Sequence, residues 1–96
     1  MTAFEELLET HQRALRDYSD AMDRRNRALG LLAEAKASSA RNVPERQASF
    51  RSAEEEFNRT FRELEDVSKR LRVARAQRIL EAAMFKPSAA TRSQPF

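Results

Sequence analysis

The chain has no cysteine, no tryptophan, one glycine, one histidine and three prolines in 96 residues. Without cysteine there is no disulfide framework and no thiolate metal site, a composition compatible with a cytoplasmic protein. So few Gly and Pro residues leave little material for tight turns, which argues against a many-stranded β fold. No apolar run approaches the ~20 residues that span a bilayer. The acidic opening Met1-Thr2-Ala3-Phe4-Glu5-Glu6 lacks the basic region of a secretory signal. One His, no Cys and no Gly-rich loop offer little for nucleophilic, metal-assisted or phosphate-cradling chemistry. The expectation is therefore no catalytic residue, no metal and no cofactor.

What is present is charge and amphipathic pattern. Charged residues make up 34% and the hydrophobic set 41%, which suits half-exposed helices better than a closed core. Thr2 and Glu5 form a Thr-x-x-Glu capping box that opens a helix. Large side chains then recur at spacings of four and three. One heptad row carries Leu8, Leu15, Met22 and Leu29, and the other Phe4, His11, Tyr18, Arg25 and Leu32. Repetition over four heptads predicts a coiled-coil seam. Gly30 sits beside it and weakens the helix by up to ~1 kcal/mol relative to Ala.

The pattern breaks from Ala37 to Val43, and Pro44 suits the first turn of a new helix, with Asn42 the better cap candidate. A second seam runs through Phe50, Ala53, Phe57, Thr60, Leu64, Val67, Leu71, Ala74 and Arg78, flanked by Phe61 and Ser68. The predicted organisation is helix one over 2–37, a connection over 38–43, helix two over 44–86, and a disordered polar tail over 87–96. The fold class is all-α: a long antiparallel two-helix hairpin, coiled-coil-like. It hides one stripe per helix, so completion by dimerisation or by further helices is expected. The helix-packing and dimer set is Phe4, Leu8, Leu15, Tyr18, Met22, Leu29, Leu32, Phe50, Phe57, Phe61, Leu64, Val67 and Leu71. The ordinary role of His11 is a hydrogen-bonded seam residue, and that of Arg25 is to fix register or reach an acid on a neighbouring helix.

Charge is unevenly placed. Residues 1–37 carry six basic and seven acidic groups, and residues 38–96 carry twelve and eight, giving the overall +3. Glu54, Glu55 and Glu56 make the start of helix two acidic. Lys69, Arg70, Arg72, Arg75 and Arg78 occupy a stretch without any acid. Fifteen of the basic residues are Arg, whose planar fork suits phosphate. The bland explanation is a solvated face with Lys and Arg near a helix C-terminus. The functional one is an anionic phosphate surface, a lipid headgroup before a nucleic acid, because no base-stacking aromatics interleave with the basic run.

The run from Arg13 to Lys36, the junction Arg41-Asn42-Val43-Pro44-Glu45, then Ala53-Glu54-Glu55-Glu56-Phe57, Phe61 and Val67-Ser68-Lys69-Arg70 follow in an order that resembles the distal helical hairpin of BAR domains, the sorting-nexin type above all. A complete BAR protomer has three long helices, and this chain has room for about two. The resemblance implies a non-catalytic module that forms homo- or heterodimers and binds curved anionic endosomal membranes. By position it implies Arg70, Arg72, Arg75 and Arg78 as lipid contacts, with Arg41 and Arg46 at the hairpin tip as a second set. It also implies peripheral attachment to the endosomal membrane. The competing expectation is a coiled-coil scaffold that holds a helical protein partner in its open grooves, without membrane contact.

Overall fold

A computed structural model describes residues 1–85; the tail expected over 87–96 and the end of helix two at Lys86 lie outside the described residues. It consists of α1 (Ala3–Ala37) and α2 (Val43–Phe85), antiparallel and in contact along the length of α1. The all-α hairpin read from the heptads is the observed architecture. No strand occurs among the described residues. At ~1.5 Å per residue α2 is about 65 Å long.

Both ends of α1 are set by local chemistry. The Glu5 N–H donates to Thr2 Oγ1 at 3.1 Å, and the Thr2 N–H donates back to Glu5 Oε1 at 3.3 Å. Glu5 and Glu6 in the first turn and Lys36 in the last complement the helix dipole. At the C-terminus the Ala40 N–H donates to the Ala35 carbonyl at 2.9 Å and the Ser39 N–H to that of Lys36 at 3.3 Å. This is a Schellman closure, which needs a left-handed residue at its centre. Ser39 takes that place at φ 52°, without the freedom of glycine.

The second helix starts one residue before the expected Pro44, at Val43. The backbone carbonyl of Asn42 accepts the first α2 bond, from the Arg46 N–H at 2.9 Å. Its side-chain oxygen is buried and has no partner, so Asn42 does not cap in the expected way. A cap side chain addresses the N–H of the second or third helical residue, and Pro44 removes the former.

The packed seam differs from the expected one on α1. Phe4, His11, Tyr18, Arg25 and Leu32 do face α2, but their companion row is Leu7, Ala14, Ala21, Ala28 and Ala35, not Leu8, Leu15, Met22 and Leu29. Ala14, Ala21, Leu32 and Ala35 are buried, whereas Leu15 and Leu29 are each 44% exposed. Helix geometry treats the two rows alike, since Tyr18 lies about 40° from both Ala14 and Met22 around a helix of 3.6 residues per turn. The row that α2 meets is the alanine one, and Leu8 and Met22 stay half-buried at its side. Alanine also lets two backbones approach toward the short end of the ~8–10 Å interaxial range. On α2 the expected seam is observed: Thr60, Val67 and Leu71 are buried, and Phe50, Ala53, Phe57, Leu64 and Ala74 are half-buried. The Thr60 hydroxyl is satisfied by donating to the Phe57 carbonyl at 2.8 Å.

Candidate interaction surfaces

Register is fixed by contacts between the helices. Arg24 pairs with Glu56, and Arg25 reaches Glu54 at 3.5 Å. The Arg25 guanidinium also lies over the rings of Phe57 and Phe50, at 5.3 and 5.7 Å from their centroids. The Tyr18 ring packs against Phe57 at 5.1 Å and Phe61 at 6.0 Å. Near the open end, Arg78 stacks on Phe4 at 4.4 Å. Residues 79–85 of α2 therefore run on beyond the start of α1.

This register gives the hairpin two unlike flanks. One groove is polar, lined by Asp17, Asp20, Arg24, Glu56, Arg59 and Glu63, and continues past Arg13, Asp66 and Arg70. Both signs are interspersed there, and Arg24 pairs with Glu56 and Arg70 with Asp66. The opposite flank is apolar on its α1 half: the Leu8, Leu15, Met22, Leu29 row lies beside Tyr18 and Phe61, and Phe61 is 47% exposed, while Glu54, Glu65 and Arg72 follow Phe61 on the α2 half. From Leu8 to Leu29 that row runs for about 32 Å at ~1.5 Å per residue.

The basic stretch of α2 is not one surface. Lys69 and Arg70 pair within their own helix, with Glu65 at 3.9 Å and Asp66 at 3.1 Å. Arg78 is engaged by Phe4. Arg72 and Arg75 have no ion-pair partner among the described residues and line a shallow recess with His11, Ser68, Leu71 and Ile79. Arg41 and the half-buried Arg46 sit at the tip; Arg46 lies about 39 Å along the helix from Arg72 at ~1.5 Å per residue. Ile79 at the edge of the recess and Leu80 and Met84 after it are 70%, 63% and 78% exposed. Among the described residues no cluster of His, Cys, Asp or Glu could hold a metal ion, and no helix is long and apolar enough to cross a membrane.

The sequence reading anticipated that Arg25 would reach an acid on the neighbouring helix, and Glu54 is that acid. It missed the alanine row, although a seven-residue recurrence of Ala14, Ala21, Ala28 and Ala35 was there to be found. No protein-family model matches the chain, and no curated protein or solved structure is significantly similar to it.

Proposed function

We propose that the protein is a non-catalytic helical scaffold that completes its core by binding further helices along the Leu8–Leu29 flank. The observation that supports this reading is the displacement of the leucine row from the seam. Four large apolar residues at heptad spacing stand beside a seam whose own α1 row is alanine. Heptad spacing offers knobs to the holes of another helix. A small domain with one buried stripe also needs further apolar burial to be stable. The experiment is site-specific photo-cross-linking. A benzophenone side chain at Leu15 should capture helical protein, and the same group at Asp17, on the polar groove, should not. Equal capture at both sites, or none at Leu15, overturns the reading.

A second reading is favoured by the open end, where Arg72 and Arg75 adjoin the exposed Ile79, Leu80 and Met84. Basic and apolar side chains together suit an anionic membrane surface, as the BAR-like resemblance implies for a peripheral endosomal protein. It predicts binding to acidic vesicles that weakens with salt and is lost in Arg72→Glu/Arg75→Glu. Failure to sediment with acidic vesicles at low salt removes this second role.

A further inference from the structure

The occupant of the apolar flank is the next question, and the answer here rests on the helix-binding reading above. We propose that it is a second copy of this chain, set antiparallel, α1 against α1, about a two-fold axis passing level with Ser19 and Phe61. The pattern of α1 is self-complementary about that level. Reversed upon itself, the apolar row places Leu8 against Leu29 and Leu15 against Met22. The next row toward solvent places Gln12 against Asn26 and Ser19 against its own copy. At the rim, Arg16 faces Asp23 of the second copy, and Asp23 faces its Arg16. All four of Gln12, Arg16, Asp23 and Asn26 are exposed in the hairpin.

The same axis serves α2, because Tyr18 against Phe61 and Arg24 against Glu56 make Ser19 and Phe61 level. Phe61, nearly half exposed, then meets its own copy on the axis. At the outer edge Glu55 faces Lys69 of the second copy. Arg62 meets its own copy and Arg51 comes level with Arg72 of the second copy, the like-charge approaches on this side. A two-fold axis along the helices is the other way to join the two flanks. It sets α1 on α2 of the second copy, bringing Arg16 beside Arg62 and Asp23 beside Glu55, like charge upon like, with Glu9 beside Lys69 the one attractive pair of those rows. On balance, and through the Arg16–Asp23 pairs of α1 above all, charge patterning favours the antiparallel, isologous arrangement.

The chain's lack of cysteine makes the test direct. Ser19→Cys should oxidise to a covalent dimer in high yield, whereas Asp17→Cys, facing the polar groove, should remain monomeric on denaturing gels. Sedimentation of the unmodified full chain should show a dimer. Arg16→Glu should weaken it roughly tenfold, the sum of two exposed pairs turned repulsive, and Arg16→Glu/Asp23→Arg should restore it. Circular dichroism on each variant verifies that the helices are retained. A folded chain that sediments as a monomer at every concentration overturns the proposal. A dimer that Leu15→Glu abolishes, but that Ser19→Cys does not trap and the charge swap does not rescue, overturns this arrangement and leaves the helix-binding reading standing. A dimer indifferent to Leu15→Glu overturns both.

Discussion

The guanidinium of Arg25 lies 5.3 Å from the centroid of the Phe57 ring, at the helix–helix seam, with its side chain about 31% exposed. The Phe50 ring centroid lies 5.7 Å from it and Glu54 takes its charge. Its Nε is buried and has no partner. The side chain therefore acts through its stem and its planar face as much as through its charge. Cation–π contacts at partly exposed sites contribute ~0.5–1 kcal/mol, and the unpaired Nε offsets part of that. Arg25→Ala should lower the unfolding free energy by about 1–2 kcal/mol in urea titration. Arg25→Met, which keeps the stem and removes the unpaired donor, should match or exceed the parent chain. An Ala variant as stable as the parent would show that the stack contributes nothing.

Ala21 is 1% exposed, at the middle of the alanine row. Ala21→Leu should cost about 1–3 kcal/mol, because a closely approached pair of backbones has no room for added methylenes. Leu15→Ala, on the flank, should change the unfolding free energy of dilute, dissociated chain far less. Thermal melts of the two variants at low concentration should therefore separate widely, and equal losses would contradict the seam assignment.

Gly30 faces open space: a methyl group built on its Cα meets nothing within 4 Å. Gly30→Ala should raise helix stability by ~1 kcal/mol through backbone entropy alone. A rise in melting temperature without change in oligomeric mass is the expected result.

Ser39 is the mirror case, holding φ 52° at the Schellman turn where glycine is at ease. Ser39→Gly should stabilise the hairpin by about 0.5–1 kcal/mol, since the left-handed conformation costs a side-chain-bearing residue ~1–2 kcal/mol and glycine returns part of that in unfolded-state entropy. Ser39→Val should destabilise it, because branching at Cβ worsens the same clash. Chemical denaturation of the pair should move in opposite directions.

Much of the hairpin was legible before any coordinates. Thr2 and Glu5 announced the first helix, and Pro44 placed the second to within one residue. The heptads of α2 identified its buried row from Phe50 to Ala74. These features are local. A cap, a proline or a repeat acts within a turn or two of its own position.

Which row of α1 faces α2 was another matter. Leucine at heptad spacing is the stronger hydrophobic signal, and by size alone Leu8, Leu15, Met22 and Leu29 outweigh Ala14, Ala21, Ala28 and Ala35. The partner decides: Phe57 and Phe50 on α2 take Tyr18 and Arg25 against their rings, and Ala14 and Ala21 are buried beside that stack. The spread of the basic residues is likewise a property of the pair. Along the sequence, Lys69 to Arg78 read as one cluster. In the hairpin they divide between a paired flank, a recess beside His11 and a stack on Phe4. The sequence by itself determined two helices, the capping box that opens the first, the start of the second to within one residue and the short connection that returns it antiparallel, because those depend on contacts a few residues apart. Only the tertiary structure decided that the alanine row joins Tyr18 and Leu32 in the seam while Leu15 and Leu29 face outward, because a stripe is buried or exposed according to the helix it meets.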